Sequence, residues 1–207
     1  MVPYILSLLL GYAAGSFPSA FVLVKWKSRI DIRSAGSGNV GTMNTFDVTG
    51  SKWLSIAVLL IDLAKGVAAV ALAGVIVGNA PGISGAAGIG AVLGHNYPVW
   101  LGFHGGRGLA TAAGVFILIG WVFVPLWCLL FVLAYLPSRD IHTGNIAATL
   151  VSPAVVLLAP ESVLAWSVAP GSLPGFRVVA LIICALIMIR HRDVIPSVLK
   201  SFHKPTS

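Results

Sequence analysis

Apolar stretches close to the length of a bilayer's hydrocarbon core recur from one end of this chain to the other, and they leave few folds open to it. About 20 apolar residues wound as a helix span the ~30 Å layer and satisfy their own backbone hydrogen bonds, which irregular backbone or an open sheet cannot do in lipid. A membrane β-barrel would instead show ~10-residue segments of alternating polarity. Only 9% of the 207 residues are charged while 57% are hydrophobic, too few charges to cover a soluble domain. The expected fold is an all-α polytopic membrane protein, a single membrane-embedded domain over residues 1–207.

Spans are expected at roughly 3–24, 53–77, 83–101, 109–120, 121–136, 146–160 and 174–190, Gly120 and Pro125 dividing the apolar run between 109 and 136. About seven transmembrane helices then put Lys25, Lys27, Arg29, Arg33, Lys52, Arg107, Arg139, Arg190, Arg192, Lys200 and Lys204 on one face, with Arg177 opposite and Lys65 inside a span. The connections near 78–82 and 162–172 carry no lysine or arginine. By the positive-inside rule the basic face is cytoplasmic, the N-terminus lies outside and the C-terminus inside. Positive charges follow the first span instead of preceding it, so it reads as a retained signal-anchor and not a cleaved leader. Some spans are too short to cross the whole layer, so their polar ends should form a cytoplasm-facing recess.

The formal charge of +7 does not point to nucleic acid, because the basic residues flank apolar spans and carry no interleaved stacking aromatics. No metal is expected, since the histidines lack ligand spacing and there is no CxxC. Cys128 and Cys184 lie inside apolar segments and read as small hydrophobes.

Polar residues gather instead in clusters at the boundaries of spans. The run Gly36-Ser37-Gly38-Asn39-Val40-Gly41-Thr42-Met43-Asn44 can fold tightly and offer N–H groups to an anion, with Ser37, Asn39, Thr42 and Asn44 adding side-chain donors. It lacks the lysine and hydroxyl residue of a nucleotide-binding P-loop. In His104-Gly105-Gly106-Arg107-Gly108, the arginine stands at the predicted start of a helix, where dipole and guanidinium both favour phosphate. His95 and Asn96, before Pro98, suit a helix end. Asp62 and Lys65 share a helical face and are either a structural pair or part of a polar site. His191, in Arg190-His191-Arg192-Asp193, belongs either to an interfacial cluster or to the same site.

These residues resemble the bacterial membrane-bound glycerol-3-phosphate acyltransferases that draw their acyl chain from acyl phosphate, the PlsY family. The likeness is carried by Gly15-Ser16-Phe17-Pro18, the Gly36 to Asn44 loop, Asp62-Leu63-Ala64-Lys65-Gly66, Gly94-His95-Asn96-Tyr97-Pro98, Gly105-Gly106-Arg107-Gly108-Leu109-Ala110-Thr111 and Arg190-His191-Arg192, in the family's order. It implies acyl transfer to the 1-hydroxyl of glycerol 3-phosphate, giving lysophosphatidic acid and phosphate at the cytoplasmic side of the bacterial inner membrane. It implies that Ser37 and His191 are catalytic and that Arg107 stands for the family's phosphate-binding lysine. Backbone N–H groups from Gly36 to Gly41 would hold the acyl-phosphate phosphate, and Gly36, Gly38, Asn39, Gly41, Thr42, Asn44, His95, Gly105, Gly106, Arg107 and Gly108 form the expected binding set. No cofactor is implied; the partners are acyl phosphate, glycerol 3-phosphate, the bilayer and the soluble enzyme that makes acyl phosphate.

The chain departs from the family inside that set. Asp47 stands where an arginine is usual, Thr42-Met43 replaces an alanine-threonine pair, the loop 138–146, which normally carries a tyrosine and serines, reads Ser138-Arg139-Asp140-Ile141-His142-Thr143-Gly144-Asn145-Ile146, and Val194 replaces an asparagine. Rivals are therefore the same fold acting on another polar acceptor, an inactive paralogue, and a lipid or phosphate transporter. A transporter should carry polar residues through its spans to the outer face, whereas here they gather at the basic side.

Overall fold

Pro18 lacks an N–H and so interrupts the first apolar stretch, which is built as two helices, α1 (Val2–Gly15) and α2 (Ser19–Ser28), in place of the continuous span expected over 3–24. At the break the Phe17 carbonyl accepts from the Ser19 N–H at 3.0 Å, in place of an i+4 helical bond, and Lys65 Nζ also donates to it at 3.0 Å. In this computed structural model residues 1–202 are described; Lys204 and the remainder of the polar tail lie outside them. The other helices are α3 (Thr42–Thr49), α4 (Lys52–Ile76), α5 (Pro81–Asn96), α6 (Leu109–Ile119), α7 (Phe123–Ser138), α8 (Ile141–Leu158), the single turn α9 (Glu161–Leu164), α10 (Leu173–His191) and α11 (Ile195–Phe202). A helix stands at the place of each expected span, and no strand occurs among the described residues.

The stretches Val2–Ser28, Lys52–Ile76, Ile141–Leu158 and Leu173–His191 are long and apolar enough to cross a membrane, and α6 and α7 are shorter apolar helices. Large apolar side chains such as Leu60, Val75, Leu133 and Leu158 face outward, as lipid requires and water would penalise. Trp26 and Trp53 are exposed beside Lys25, Lys27 and Lys52, the amphipathic ring next to the charge that marks a membrane–water interface. This is a helical, multi-pass membrane protein.

Lipid tails are as apolar as leucine, so helices in a bilayer associate by close packing. Here α1 lies on α5 through paired small residues four apart: a Cβ on Gly11 or Gly15 would collide with the carbonyls of Ala87 or Ala91, and one on Gly90 or Gly94 with those of Leu8 or Tyr12. The α4–α6 contact repeats the device, Gly66 against the Thr111 carbonyl and Gly114 against that of Leu63. Backbone thus meets backbone at two crossings, α1 on α5 and α4 on α6, and Gly88 of α5 packed against Val115 of α6 joins the two pairs. Phe116 stacks on Phe123 at 4.0 Å and meets Phe176 edge-on, filling the space between α6, α7 and α10.

Candidate active site

The glycine loop is folded around one buried side chain. Asn44 accepts the Ser37 N–H on Oδ1 at 2.8 Å, and its Nδ2 donates to the carbonyls of Ile32 at 3.2 Å and Ala35 at 3.0 Å. Gly36 and Gly38 take φ of 58° and 71°, a region other residues enter only with strain. The Gly38 N–H is held by the Ala35 carbonyl and that of Gly41 by the Asn39 carbonyl. Three N–H groups that the sequence offered to a phosphate are therefore engaged within the loop, and Asn44 shapes the loop from inside. The donors left over are the N–H groups of Gly36, Asn39 and Val40, which make no hydrogen bond among the described residues, and those of the first turn of α3, which starts at Thr42 and whose opening N–H groups have no helical partner.

The second glycine run is a brace for Arg107. Gly105 and Gly106 donate to the carbonyls of Asn96 and His95 at 3.2 and 3.1 Å, while their own carbonyls accept from Arg190 Nη2 at 2.8 Å and Nε at 3.1 Å. A Cβ on Gly105 would meet the His95 carbonyl, and one on Gly106 the His95 ring. Gly108, at φ 87°, caps α6 against Asn96. Arg107 is thereby fixed at the mouth of α6, its side chain only 11% exposed, with Nη2 donating to Asp193 Oδ2 at 2.8 Å and Nε buried without a partner among the described residues. Burial alone would raise the Asp193 carboxyl, but its bond to Arg107 holds it below the ordinary carboxylate range.

These elements enclose a cavity of about 210 Å³ lined by Asn39, Gly41, Thr42 and Met43, by Leu59 and Asp62 of α4, by His95, by Arg107 to Ala110, and by Ile141 and Asn145 of α8. The N-terminal ends of α3, α6 and α8 meet there, so backbone dipoles and one guanidinium all make it a seat for negative charge. The start of α8 is set by Asp140, which accepts from the backbones of His142 and Thr143 and from the Thr143 hydroxyl. Partial burial pushes the Asp140 carboxyl up, and these bonds outweigh it, leaving the group below its usual range. Asp62 accepts from Ser19 Oγ and pairs with Lys65 at 3.0 Å, and the His95 Nδ1 stands 3.6 Å away. The Asp62–Lys65 pair is thus structural at the helix break, with Asp62 also reaching the cavity wall.

Leu59, Leu109 and Ala110 also border a second cavity of about 270 Å³, an apolar groove lined by Ala112, Ala113, Phe116, Phe123, Val124, Trp127, Ile187 and the two free thiols Cys128 and Cys184. A polar, anion-seeking head site and an apolar trough therefore share a wall.

Of the residues expected from sequence, Asn39, Gly41, Thr42, His95, Arg107 and Gly108 line the head cavity. Gly36, Gly38, Asn44, Gly105 and Gly106 hold those residues in place from behind. Ser37 is exposed on the loop, and its hydroxyl makes no hydrogen bond among the described residues. His191 is fully buried near Arg107 and His142 and donates from Nδ1 to the Ile187 carbonyl at 2.8 Å. In the neutral ring that bond puts the proton on Nδ1 and leaves Nε2, which has no partner among the described residues, bearing a lone pair. Asp47 is exposed and forms no ion pair among the described residues. Arg33 is held by Asp31 through two bonds of 3.0 and 2.7 Å, a pairing that lowers the Asp31 carboxyl to about 2. Arg107 is the one lysine or arginine among the described residues lining the cavity. Sequence reasoning missed the apolar groove, Asn145, and the partnership of Asp193 with Arg107; only Asp140, three residues before Thr143, signalled a helix start at that end.

The family model described as glycerol-3-phosphate acyltransferase matches residues 5–201. Similar proteins include the glycerol-3-phosphate acyltransferase of Myxococcus xanthus, 43% identical over 140 residues that make up 68% of this chain and 72% of that one. That of Mesorhizobium japonicum is 37% identical over 192 residues, 91% of this chain and 88% of its own. Among solved structures, PlsY (YgiH), an integral membrane glycerol 3-phosphate acyltransferase, superposes in its glycerol 3-phosphate form with a TM-score of 0.74 at 29% identity, covering 100% of this chain and 94% of that one. Its lysophosphatidic acid form gives 0.78 at 28% identity, covering 99% and 95%.

Proposed function

The chain belongs to the glycerol-3-phosphate acyltransferase family and is a membrane acyltransferase, and from that premise we propose that it moves a fatty acyl group from acyl phosphate to the 1-hydroxyl of glycerol 3-phosphate, giving lysophosphatidic acid and inorganic phosphate. The observation that supports this reading is the shared wall of Leu59, Leu109 and Ala110 between the anion-seeking cavity and the apolar groove. A substrate with a phosphate at one end and a long apolar chain at the other fits both at once.

In this reading the acceptor hydroxyl attacks the acyl carbonyl carbon, the bond from that carbon to the phosphate oxygen breaks, and the phosphate leaves. The donors at the start of α3 and the Arg107 guanidinium stabilise the negative charge that develops. Asn39, Thr42 and His95 complete the head site. We assign proton removal to His191 Nε2, the nitrogen without a partner among the described residues behind Arg107, acting through a relay that includes the Ser37 hydroxyl, because neither side chain itself lines the cavity. A mixed anhydride is already activated, so the chemistry calls on no cofactor.

We further place the cavity at the cytoplasmic face of a bacterial inner membrane, the N-terminus outside and the C-terminus inside, because the lysines and arginines concentrate on that side. A cysteine introduced at Ser138 should then be silent to an impermeant thiol reagent in intact cells; labelling from outside would reverse the orientation.

A second reading, another polar acceptor on the same fold, is favoured by one observation: among the described residues the cavity is lined by a single lysine or arginine, while by the family resemblance Asp47 takes the position of an arginine. One experiment tests both. Purified protein in lipid vesicles is given palmitoyl phosphate with labelled glycerol 3-phosphate, and with glycerol and cationic-headed alcohols in parallel. Labelled lysophosphatidic acid with matching phosphate release is expected. Acylation of another acceptor while glycerol 3-phosphate is ignored would replace the first reading by the second.

A further inference from the structure

We propose that Asp193 is a positioning residue for the acceptor's phosphate, acting through Arg107, in the acyl-transfer reading on which this inference rests. Arginine carries five N–H donors in a rigid fork. Asp193 Oδ2 takes one of them, from Nη2 at 2.8 Å; Nε is buried, and the Nη1 N–H groups have no partner among the described residues in a side chain that lines the cavity. Donors therefore remain for a phosphate after the carboxylate is bound.

The carboxylate approaches from the solvent side. The Asp193 side chain is 56% exposed against 11% for Arg107, and Asp193 is not among the residues lining the cavity. An inhibitory carboxylate would have to occupy the phosphate's own seat, and this one lies outside it. Its backbone is also fixed relative to Arg107: Asp193 sits in the turn between α10 and α11, and three residues earlier Arg190 grips the carbonyls of Gly105 and Gly106. One turn thus registers the loop by its main chain and the guanidinium by its side chain. A long, rotamer-rich side chain fixed before the substrate arrives loses less freedom on binding.

The test is steady-state kinetics of Asp193→Asn, Asp193→Glu and Arg107→Ala in lipid vesicles, with palmitoyl phosphate saturating and glycerol 3-phosphate varied. Loss of a hydrogen bond to a charged group predicts a KM for glycerol 3-phosphate raised roughly tenfold in Asp193→Asn, with kcat within about twofold of wild type. Asp193→Glu should restore most of the loss, and adding Asp193→Asn to Arg107→Ala should change KM no further, because the carboxylate acts only through that side chain. A KM that is unchanged or lowered in Asp193→Asn, an equal fall of kcat without a change in KM, or an undiminished effect in the Arg107→Ala background would each overturn the proposal. Absence of glycerol 3-phosphate turnover in the wild type is a different result, which brings down the acyl-transfer reading itself.

Discussion

Replacing Asn44 by alanine removes a side chain that touches no substrate in the proposed mechanism, yet the activity should fall steeply. Its amide makes three hydrogen bonds, to the Ser37 N–H and to the Ile32 and Ala35 carbonyls. At a net ~0.5–1.5 kcal/mol each, their loss weakens the folded loop by about 1.5–4.5 kcal/mol. If the ordered loop is the competent one, that range corresponds to a fall in kcat/KM of roughly tenfold to a few thousandfold. The helix crossings through Gly11, Gly15, Gly90 and Gly94 contain no residue of the loop, so thermal unfolding should move by only a few degrees. Limited proteolysis between Ile32 and Gly41 should quicken in the same variant, linking the kinetic loss to loop order. Asn44→Asp sharpens the comparison. It keeps an acceptor for the Ser37 N–H but turns an oxygen toward two carbonyls, so it should fare no better than alanine. Wild-type activity in Asn44→Ala, with unchanged proteolysis of the loop, would refute the reasoning.

Arg107→Ala should lower kcat/KM by about 10²–10³, the cost of one lost donor to developing charge, while the released Asp193 is exposed enough that folding in the membrane is little affected; activity within twofold of wild type would remove Arg107 from the site. Ala113 lies in the wall of the apolar groove, so Ala113→Trp should cut the preference for palmitoyl over octanoyl phosphate by roughly fourfold for each methylene kept out, at ~0.8 kcal/mol apiece; competition between the two donors measures it, and an unchanged ratio places the chain elsewhere. Asp140 is lowered in the folded state relative to the unfolded chain, so its charge stabilises fully above the unfolded value near 3.9 and is lost as pH falls through the lower folded value. The Tm gap between wild type and Asp140→Ala, present at neutral pH, should therefore close only below about pH 4, and a gap that closes near pH 6 would point to another group.

The placement of the helices was legible because length, apolarity and charge asymmetry are properties of segments. What each helix faces was not. When both the core and the lipid are apolar, a span such as Leu109–Ile119 carries no contrast between its faces, so nothing in its residues separates the groove wall at Ala113 from the packed side at Gly114. The polar clusters were legible as a candidate site, but the division of labour within them required coordinates. Asn44, Gly105 and Gly106 look like ligands in sequence because small and polar residues serve equally well to bind an anion and to let backbones approach. The break at Phe17 was signalled by Pro18, whereas its consequence, a carbonyl taken up by Lys65 from 48 residues away, depends on tertiary contact.

The departures at Asp47 and Arg107 are best considered together. A lysine ammonium at 107 would be a compact point charge, and a contact with Asp193 would compete directly with one to phosphate. A guanidinium carries five donors, so Nη2 can be tied to a carboxylate on the solvent side while the Nη1 N–H groups, without a partner among the described residues, stay available. Within the acyl-transfer reading, an anchored arginine at the meeting of the α3, α6 and α8 N-termini offsets the cation missing at position 47. Asp47 itself is exposed and lies outside the cavity wall, where its repulsion of a phosphate is weakened by intervening water. An acidic residue at that place is thus compatible with an anionic acceptor because the site's positive potential comes chiefly from helix ends and one fixed guanidinium, and not from a ring of mobile cations.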